Sequence, residues 1–446
     1  MTATAEAPAR TTSPSDTARY VLLAVVAVNV LIIWALFFTD GEGKNSTLSV
    51  AKFFAMNAAL IMMTQIVLVS RLPWLDRRIG MDRLTSWHRW VGFGLLWTIL
   101  LHVTFILLGY ARLDDTDVFS TFGALAGVTA SLLGMIAATA LVTVALTSIR
   151  AVRRRLSYET WHALHLLVYV TIFVGLVHQY LEPATFKTST FGKVYWTALW
   201  TLVIATFVTG RLLVPLWRNA YHQYRVAEVV PESDDVTSVH ITGRNLDRLP
   251  ARAGQFMIWR FPRYAGWWPA NPFSLSAAPD GRSLRLTAKA VGATSAGLRN
   301  VPVGTRVFVE GPYGAFTSLH RSKDAALLIA GGVGVTPIRA LLEESTGPVV
   351  VLYRVRDEAD AVLLHELREL AAARGAEVHL VTGRTSAASA AGAPLGPENL
   401  ARLVPDIVDR DVFVCGPPAM TSAVLRSLRE LKVPRRQVHA ERFSLA

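Results

Sequence analysis

Two long apolar stretches of the chain each carry a widely spaced pair of histidines, His88 with His102 and His165 with His178. Apolar runs of this length predict membrane-spanning helices, inside which an ionisable side chain is costly and usually functional. Imidazole is a common axial ligand of haem iron, and two imidazoles leave no open iron position, which suits electron transfer. We therefore predict that the four histidines are the metal ligands of two stacked b-type haems; interfacial or structural histidines are the alternative.

The spacing within the two pairs differs by one residue. His88 and His102 are 14 residues apart, which is about 21 Å along an α-helix and nearly four full turns, so both rings lie on one face. His165 and His178 are 13 residues apart, and an ideal helix turns their rings well away from each other. The second pair therefore predicts either a helical bulge near Gly175 or haems that are rotated relative to one another.

The composition predicts a membrane protein with a soluble portion. Of the 446 residues, 52% are hydrophobic and only 17% are charged, and nearly all the long apolar runs lie before residue 216. We predict six membrane-spanning helices, each near the ~20 residues that a bilayer needs. Their approximate bounds are 20–38, 49–70, 87–110, 121–147, 161–181 and 194–216. Residues 1–19 are rich in Ala, Thr, Ser and Pro and predict a disordered cytoplasmic tail.

The basic residues predict how the chain lies in the cell membrane. The net charge is +12, but the arginines lie between the apolar runs and not along one soluble face, so no nucleic-acid partner is expected. Arginines concentrate in the second and fourth connecting loops, which marks these loops as cytoplasmic. Both termini are then cytoplasmic and the third and fifth helices are parallel. This orientation pairs His88 with His165 near the cytoplasm and His102 with His178 near the outer face.

The chain beyond Trp217 predicts two soluble domains. Short strand-like runs separated by Gly and Pro predict an antiparallel β-barrel over residues 217–320. Alternating strands and helices over residues 321–446 predict an α/β, Rossmann-like domain with a parallel sheet. Residues 20–216 are left as an all-α, six-helix haem domain. The single cysteine, Cys415, excludes an intrachain disulfide and a four-cysteine iron–sulfur cluster.

The barrel region contains a six-residue segment made of Asn271, Pro272, Phe273, Ser274, Leu275 and Ser276. It resembles the flavin-binding motif of the ferredoxin–NADP reductase family, and it is more similar still to the His-Pro-Phe-Ser/Thr form of NADPH oxidases and ferric reductases. The resemblance implies that Phe273 lies against the isoalloxazine of FAD and that Ser274 bonds near its reactive N5. Asn271 stands where the relatives have Arg or His, and its amide still offers a hydrogen bond to a ribose or phosphate oxygen.

A second segment of the barrel region contains Lys289, Gly292, Thr294 and Ser295. It resembles the second flavin segment of the same family, in which a glycine turn and hydroxyls offer donors to the FAD pyrophosphate. Taken alone, such a segment is also typical of an ordinary barrel turn.

A glycine-rich turn of the form GGxGxTP follows an apolar strand and opens a helix, with Gly331, Gly332, Gly334, Thr336 and Pro337. In such a turn the backbone amides at the helix N-terminus reach a pyrophosphate. The turn resembles the NAD(P)H motif of the family, and Cys415, Gly416 and Pro417 resemble its Cys-Gly-Pro motif beside the nicotinamide. Phe443 resembles the terminal aromatic that covers the flavin. The resemblance makes Ser274, Cys415 and Phe443 the catalytic positions.

Two arginines bear on the choice of nicotinamide. Arg354 follows the second strand of the α/β region and Arg384 follows the third, where contacts to a 2′-phosphate usually fall. Basic groups there favour NADPH over NADH. Solvated surface arginines are the alternative, and they leave NADH possible.

The motifs together resemble a ferric-reductase or NADPH-oxidase-type flavocytochrome b. The resemblance implies cytoplasmic NAD(P)H, FAD, two haems and an electron acceptor on the outer face, which is ferric iron, oxygen or a partner redox protein. One alternative is a haem-free flavin reductase, anchored in the lipid by six helices, that gives electrons to a separate partner. Another is a haem transporter without redox activity. The sequence determines neither the acceptor nor the oligomeric state.

Overall fold

The chain forms two compact units. The computed structural model describes residues 14–40, 43–182, 189–265, 270–383 and 393–442. The first unit consists of Thr17–Leu72 and Arg83–Arg211 and is named the helical unit. The second contains Pro73–Asp82 and Leu212–Ala446 and is named the sheet unit. A short stretch from between two apolar helices therefore belongs to the sheet unit.

Helices fill the N-terminal half of the chain. In order they are α1 (Pro14–Asp40), α2 (Ser46–Leu68), α3 (Pro73–Ile79), α4 (Met81–Leu113), α5 (Val118–Ala126), α6 (Thr129–Ser148), α7 (Arg150–Arg153), α8 (Tyr158–Leu181), α9 (Thr190–Val208) and α10 (Val214–His222). Among the described residues, six helical segments are long and apolar enough to cross a membrane, which confirms the predicted number. They are Thr17–Thr39, Ser46–Leu68, Arg83–Leu113, Thr129–Ser148, Thr160–Leu181 and Thr190–His222.

All six predicted spans differ in at least one bound from the helical segments, and the fourth and sixth differ most. The fourth, predicted at 121–147, is broken, because α5 ends at Ala126 and α6 begins only at Thr129. Gly127, which has no β-carbon, and an extended Val128 (φ −96°, ψ 118°) interrupt the helix. The sixth, predicted to end at residue 216, continues to His222 because a π-helical turn joins α9 to α10. The predicted domain boundary at residue 217 therefore falls inside a helix.

The helical unit has its core between α1, α2 and α9. Its largest fully buried side chains are Ile33, Met56, Met63 and Trp200. Other large apolar side chains point outward, such as Phe173, which is 66% exposed, and Leu202, which is 64% exposed. An apolar exterior of this kind is suited to lipid tails, since a soluble protein rarely exposes so large an apolar surface.

The sheet unit carries all the described β-strands. They are β1 (Arg225–Pro231), β2 (Val236–Thr242), β3 (Phe256–Arg260), β4 (Asn271–Ser274), β5 (Ser283–Lys289), β6 (Phe308–Tyr313), β7 (Ala325–Gly331), β8 (Val349–Arg354), β9 (Glu377–Val381), β10 (Arg410–Gly416) and β11 (Val438–Arg442). The helices among them are α11 (Pro262–Ala265), α12 (Ala293–Gly297), α13 (Val335–Glu344), α14 (Leu364–Arg374), α15 (Pro397–Leu403) and α16 (Pro418–Glu430).

The first six strands do not form the closed barrel that the sequence predicts. They form two three-stranded antiparallel sheets, with strand orders β1-β2-β5 and β4-β3-β6. Among the described residues, isolated bridges link the two sheets: Arg225 of β1 pairs with Arg306, before β6, and Leu275, after β4, pairs with Leu286 of β5. The two sheets instead share one apolar core between them.

The last five strands form the parallel sheet that the sequence predicts. Their order is β11-β10-β7-β8-β9, and each neighbouring pair is parallel. Both faces are covered: one core lies under α13 and α14, and another lies under α15 and α16. The glycine-rich turn and Cys415 follow the two adjacent strands β7 and β10, so the topology brings them to one edge of the sheet.

Helix α3 lies in a stretch that the sequence predicts only as a basic loop. The buried carboxylate of Asp76 accepts a hydrogen bond from the backbone N–H of Gly314, at 2.7 Å, directly after β6. The imidazole of His320 lies 3.2 Å from the carbonyl oxygen of Arg77. On the other side of β6, Asn219 of α10 exchanges two hydrogen bonds with the backbone of Val309. Strand β6 is therefore held by both α3 and α10.

We predict that Asp76→Ala destabilises the sheet unit. The substitution leaves the buried N–H of Gly314 without its acceptor, which costs about 1–3 kcal/mol. Thermal unfolding of the purified chain, followed by intrinsic fluorescence, measures the loss. Asp234→Ala, at an exposed aspartate of the same unit, is the control. Equal melting temperatures for the two variants would contradict this role for Asp76.

Candidate functional site

The imidazoles of His88 and His165 face each other in the helical unit. Their ring centroids are 6.2 Å apart and their planes are inclined at 68°. A coordinated imidazole nitrogen lies about 2 Å from its transition metal, so two rings on opposite sides of one ion have centres roughly 6 Å apart. The two side chains thus lie at a separation that accommodates one metal ion between them.

Hydrogen bonds orient the other two imidazoles. Nδ1 of His102 lies 3.0 Å from the carbonyl oxygen of Ala51 on α2, and Nδ1 of His178 lies 2.7 Å from the carbonyl oxygen of Ala130 on α6. Since a carbonyl oxygen can only accept, Nδ1 carries the hydrogen in each neutral ring and Nε2 keeps its lone pair. This is the arrangement that metal-binding histidines usually have.

Gly134 makes room for the ring of His178. A β-carbon at residue 134 would lie 2.8 Å from Cε1 and 2.9 Å from Nδ1 of that imidazole, closer than real contacts allow. Gly134 follows Ala130 by one turn on α6, so the ring packs directly on the helix backbone. The sequence pattern did not identify this glycine, because only the packing of α8 on α6 gives it a role.

Helix α8 is continuous, and the predicted bulge near Gly175 is absent from it. The other consequence of the 13-residue spacing, haems that are rotated relative to one another, stays a prediction. Helix α6 contacts α8. Ser148, at the C-terminal end of α6, has its hydroxyl 3.3 Å from Nδ1 of His165. The ring of Trp161 covers the same imidazole with centroids 5.1 Å apart. Neighbours at both ends of α6 therefore hold His165 and His178.

In the sheet unit, the predicted flavin motif lies on β4 and the residues after it. Asn271 pairs with Trp259 and Phe273 with Met257 across the ladder to β3. The indole N–H of Trp259 donates to the carbonyl oxygen of Phe273 at 3.2 Å, which fixes the strand. Ser274 is buried. Within the described part of the chain, the buried side-chain nitrogen of Asn271 has no hydrogen-bond partner, so it is a donor suited to a ligand oxygen such as those of FAD.

In the predicted second flavin segment, the side chains of Lys289 and Ser295 bond to other groups of the protein. The hydroxyl of Ser295 accepts from the backbone N–H groups of Val291 and Gly292, each at 3.1 Å, and so organises the turn before α12. Thr294 is half-buried. Lys289 forms a half-exposed ion pair with Asp235 at 2.9 Å. Ser295 therefore serves the local fold, and the backbone of the turn remains as the part that would meet a pyrophosphate.

The two predicted nicotinamide motifs contact each other backbone to backbone. A β-carbon on Gly416 would lie 3.0 Å from Cα of Gly331, and one on Gly334 would collide with the carbonyl oxygen of Cys415. Gly332 has a φ of +52°, a conformation that favours glycine. The side chain of Met420 lies over both Gly331 and Gly416. Glycine is thus required here for close approach of the strands' ends as well as for the turn.

Cys415 is fully buried at the end of β10. Burial raises the pKa of the Cys415 thiol well above its usual value, and the carboxylate of Glu441 raises it further. The thiol is therefore neutral at physiological pH and is a weak S–H donor, not a thiolate nucleophile. Its contribution to a neighbouring ligand is limited to packing and hydrogen bonding.

Of the two arginines predicted to contact a 2′-phosphate, the structure describes Arg354. The guanidinium of Arg354 donates to the backbone carbonyl oxygens of Val355, at 2.5 Å, and Val381, at 3.2 Å, and so joins the ends of β8 and β9. Arg384 and the predicted terminal aromatic Phe443 lie outside the described residues.

The chain has recognisable relatives for each part. Residues 54–176 match the family described as "Ferric reductase like transmembrane component". Residues 221–317 match the family "FAD-binding domain", and residues 328–426 match "Oxidoreductase NAD-binding domain". These matches follow the order that the motifs predict.

Curated relatives cover about half of the chain. The ferredoxin reductase component of 3-ketosteroid-9-alpha-monooxygenase from Mycobacterium tuberculosis is 33% identical over 240 residues, which are 50% of this chain and 65% of that protein. A flavohemoprotein from Vibrio cholerae is 31% identical over 244 residues, 51% of this chain and 60% of that protein. The chain thus spans less than two thirds of the length of these relatives.

A solved structure of the flavohem-like FAD/NAD-binding domain of nitric oxide dioxygenase from Vibrio cholerae is also similar. It has a TM-score of 0.41 and 26% identity, and the alignment covers 50% of this chain and 98% of that one.

The matched domains are those of an oxidoreductase with FAD- and NAD-binding parts and a membrane component. A ferric-reductase-like transmembrane domain, followed by FAD- and NAD-binding domains, matches a ferric-reductase or NADPH-oxidase-type flavocytochrome. The predicted resemblance is therefore confirmed.

A buried carboxylate lies at the start of β10, at the opposite end of that strand from Cys415. Asp411 is fully buried and accepts from the backbone N–H groups of Ser322 and Lys323, each at 2.6 Å. Nε2 of His439 on β11 lies 3.2 Å from its other oxygen. Burial raises the pKa of Asp411, but the bonds from His439 and from the two backbone N–H groups outweigh burial, and the pKa lies below its usual value.

We predict that the stabilisation by Asp411 is lost only in acid. Because its pKa is lower in the folded than in the unfolded chain, the stabilisation is fully present above the unfolded value of about 3.9. It falls as the pH drops through the lower folded value. The difference in unfolding free energy between the native chain and Asp411→Asn should therefore be constant from neutral pH to about pH 5 and shrink below about pH 4. A difference that instead shrinks between pH 7 and pH 5 would contradict this assignment.

Proposed function

We propose that this chain is a transmembrane flavocytochrome that carries electrons from cytoplasmic NAD(P)H, through FAD and two haems, to an acceptor on the outer face. When bound, FAD supplies the change from hydride to single-electron chemistry, and the haems supply sites for single electrons across the membrane. One observation supports the haems above all: the rings of His88 and His165 face each other with centroids 6.2 Å apart. In addition, Nδ1 of His102 and of His178 lies against a helix carbonyl oxygen, which leaves Nε2 for a metal ion.

The residues of the chain would bind and orient each group. His88 with His165, and His102 with His178, would ligate the two irons. Asn271 offers its unpartnered amide to FAD, and the backbone at the turn before α12 offers donors to the pyrophosphate. Each contact fixes a cofactor without taking part in its redox chemistry.

The nicotinamide nucleotide would lie at the edge where β7 and β10 end. Gly332 and Gly334 allow the backbone to approach its pyrophosphate at the start of α13. The side chain of Met420 limits the space beside Gly416. Arg354, with Arg384, supports NADPH as the nucleotide, since a guanidinium binds a 2′-phosphate better than it binds a ribose hydroxyl.

The proposal includes the orientation of the chain in the membrane and the final electron acceptor. The arginines of the second and fourth connecting loops support cytoplasmic termini. Electrons would then enter beside His88 and His165 and leave beside His102 and His178, towards ferric iron or oxygen. Reduction of a ferric chelate by right-side-out vesicles, with and without superoxide dismutase, distinguishes these two acceptors.

A second candidate function is a haem-free, membrane-anchored flavin reductase that serves a partner redox protein. The curated relatives favour it, because one of them is by name a ferredoxin reductase component. The two candidates differ in one visible property, which is the presence of haem absorption.

We predict that the purified chain shows b-type haem absorption that NADPH reduces under anaerobic conditions. His102→Leu and His178→Leu should each lower the haem content from about two to about one per chain, because one axial ligand is lost from the outer pair. His162→Leu, at a third histidine of α8, is the control and should retain both haems. A flavin spectrum without a Soret band would contradict electron transfer through haems and would support the haem-free flavin reductase.

We predict that Gly134→Ala also removes the outer haem. The added methyl would lie 2.8 Å from the imidazole of His178, so the ring has to leave its bond to Ala130. Haem content should fall from about two towards one per chain, with the ligand itself intact. Gly94→Ala on α4, where a β-carbon meets nothing within 4 Å, is the matched control. Unchanged haem content in Gly134→Ala would contradict the packing argument for His178.

A further inference from the structure

Four charged side chains meet inside the sheet unit, where β5, α13 and α14 come together. The carboxylate of Glu366 accepts hydrogen bonds from both terminal nitrogens of Arg285, each at 2.9 Å, and from Nε of Arg339 at 2.9 Å. Arg339 also forms an ion pair with Glu343 one turn further along α13. The sequence pattern predicts no role for these residues, since charged residues on short elements are usually solvated.

One side of this network contacts the flavin motif. Nε of Arg285 donates to the hydroxyl of Ser276 at 3.1 Å, and its Nη2 donates to the carbonyl oxygen of Ser276 at 2.8 Å. Ser276 is fully buried and is the last residue of the motif. Two residues further on, the backbone N–H of Ala278 donates to Glu343 at 2.6 Å. The network therefore holds the chain just after β4.

The other side of the network is the helix that the glycine-rich turn opens. Arg339 and Glu343 lie on α13, which begins directly after Gly334. The next residue, Glu344, accepts from the backbone N–H of Ala253 at 2.9 Å and from the hydroxyl of Ser318 at 2.6 Å. Three carboxylates thus join the α/β domain to the strands that carry the flavin motif.

The two arginines of the network are nearly buried, so their hydrogen bonds to Glu366 are directional and contribute more than those of an exposed ion pair. The side chains of Arg285 and Arg339 are 7% and 10% exposed, whereas that of Glu366 is 33% exposed. An exposed ion pair contributes little, but a bidentate pair with buried guanidiniums is directional and loses much when one partner is removed. Burial raises the pKa of Glu366, yet the bonds and charges of the two arginines outweigh it and lower the pKa, so the carboxylate stays charged at neutral pH.

We infer that Glu366 is a positioning residue for hydride transfer between the nucleotide and the flavin. The inference rests on the proposed function of the sheet unit. Transfer requires reacting atoms about 3–3.5 Å apart, and a displacement of 1 Å costs up to ~10²-fold in rate. Glu366 touches neither motif itself; through Arg285 it holds Ser276, and through Arg339 it holds α13. It thereby sets the distance between the two bound groups.

Glu366→Gln in the full-length protein tests the inference. The amide retains the size of the side chain but loses the charge that binds two guanidiniums. Anaerobic stopped-flow mixing with NADPH should show a limiting flavin reduction rate, per bound flavin, that is lower by about 10-fold or more, with a smaller change in KM. The change that excess NADP⁺ causes in the flavin spectrum should also be lost, and this readout needs no turnover. Glu366→Asp, which restores the charge, should recover part of both signals.

Matched variants separate positioning from simple stability. Glu358→Gln removes a partner of Arg368 in an exposed pair of 3.7 Å and should leave both signals at the native level. If Glu366→Gln does not fold, Arg285→Lys, which keeps the charge but not the bidentate geometry, takes its place with the same expected losses. A per-flavin rate within twofold of the native chain, with only FAD content or melting temperature lowered, would overturn the inference. A native protein that NADPH does not reduce would count against the proposed function, and the NADP⁺ difference spectrum would still decide the role of Glu366.

Discussion

The hydrogen bond between Nδ1 of His178 and the carbonyl oxygen of Ala130 shows the main physical constraint on this protein, which is that buried polar groups need partners within the fold. A polar ring inside an apolar helix bundle has to find partners there, since no water supplies them. A helix carbonyl has a second lone pair and can accept from such a ring without breaking the helix. The bond needs close approach, which is why α6 carries Ala130 and Gly134 where it meets the imidazole. His102 is held in the same way by Ala51 on α2.

The same constraint of close approach governs the sheet unit. There the backbones at the ends of β7 and β10 almost touch, because Gly331 and Gly416 have no side chains between them. The glycines thus serve both a turn and a contact, and the contact places Cys415 against the turn. The proposed nucleotide site depends on this packing as much as on the amides at the start of α13.

Buried polar side chains then connect the parts of the sheet unit. Asp76 and Asn219 hold β6, Asp411 holds the loop before β7, and Glu366 joins the two arginines between the flavin motif and α13. Each of these side chains bonds backbone or charged groups of a different element, so each specifies one arrangement of the elements. Apolar burial alone, being non-directional, would leave these arrangements less specific.

The sequence by itself determined the six apolar helices, the parallel sheet and the order of the motifs. These features follow from local hydrophobic patterns and from short segments such as Asn271–Ser276, which are read without knowing what packs against them. Only the tertiary structure decided that the strands before residue 320 form two sheets and not a barrel, because closure depends on pairing between distant strands. It also decided that α8 needs no bulge at Gly175, since α6 holds His165 and His178 from its two ends. Gly134, Asp76 and Glu366 gain their roles from neighbours 44, 238 and 81 residues away in the chain, and no local pattern encodes contacts over such distances.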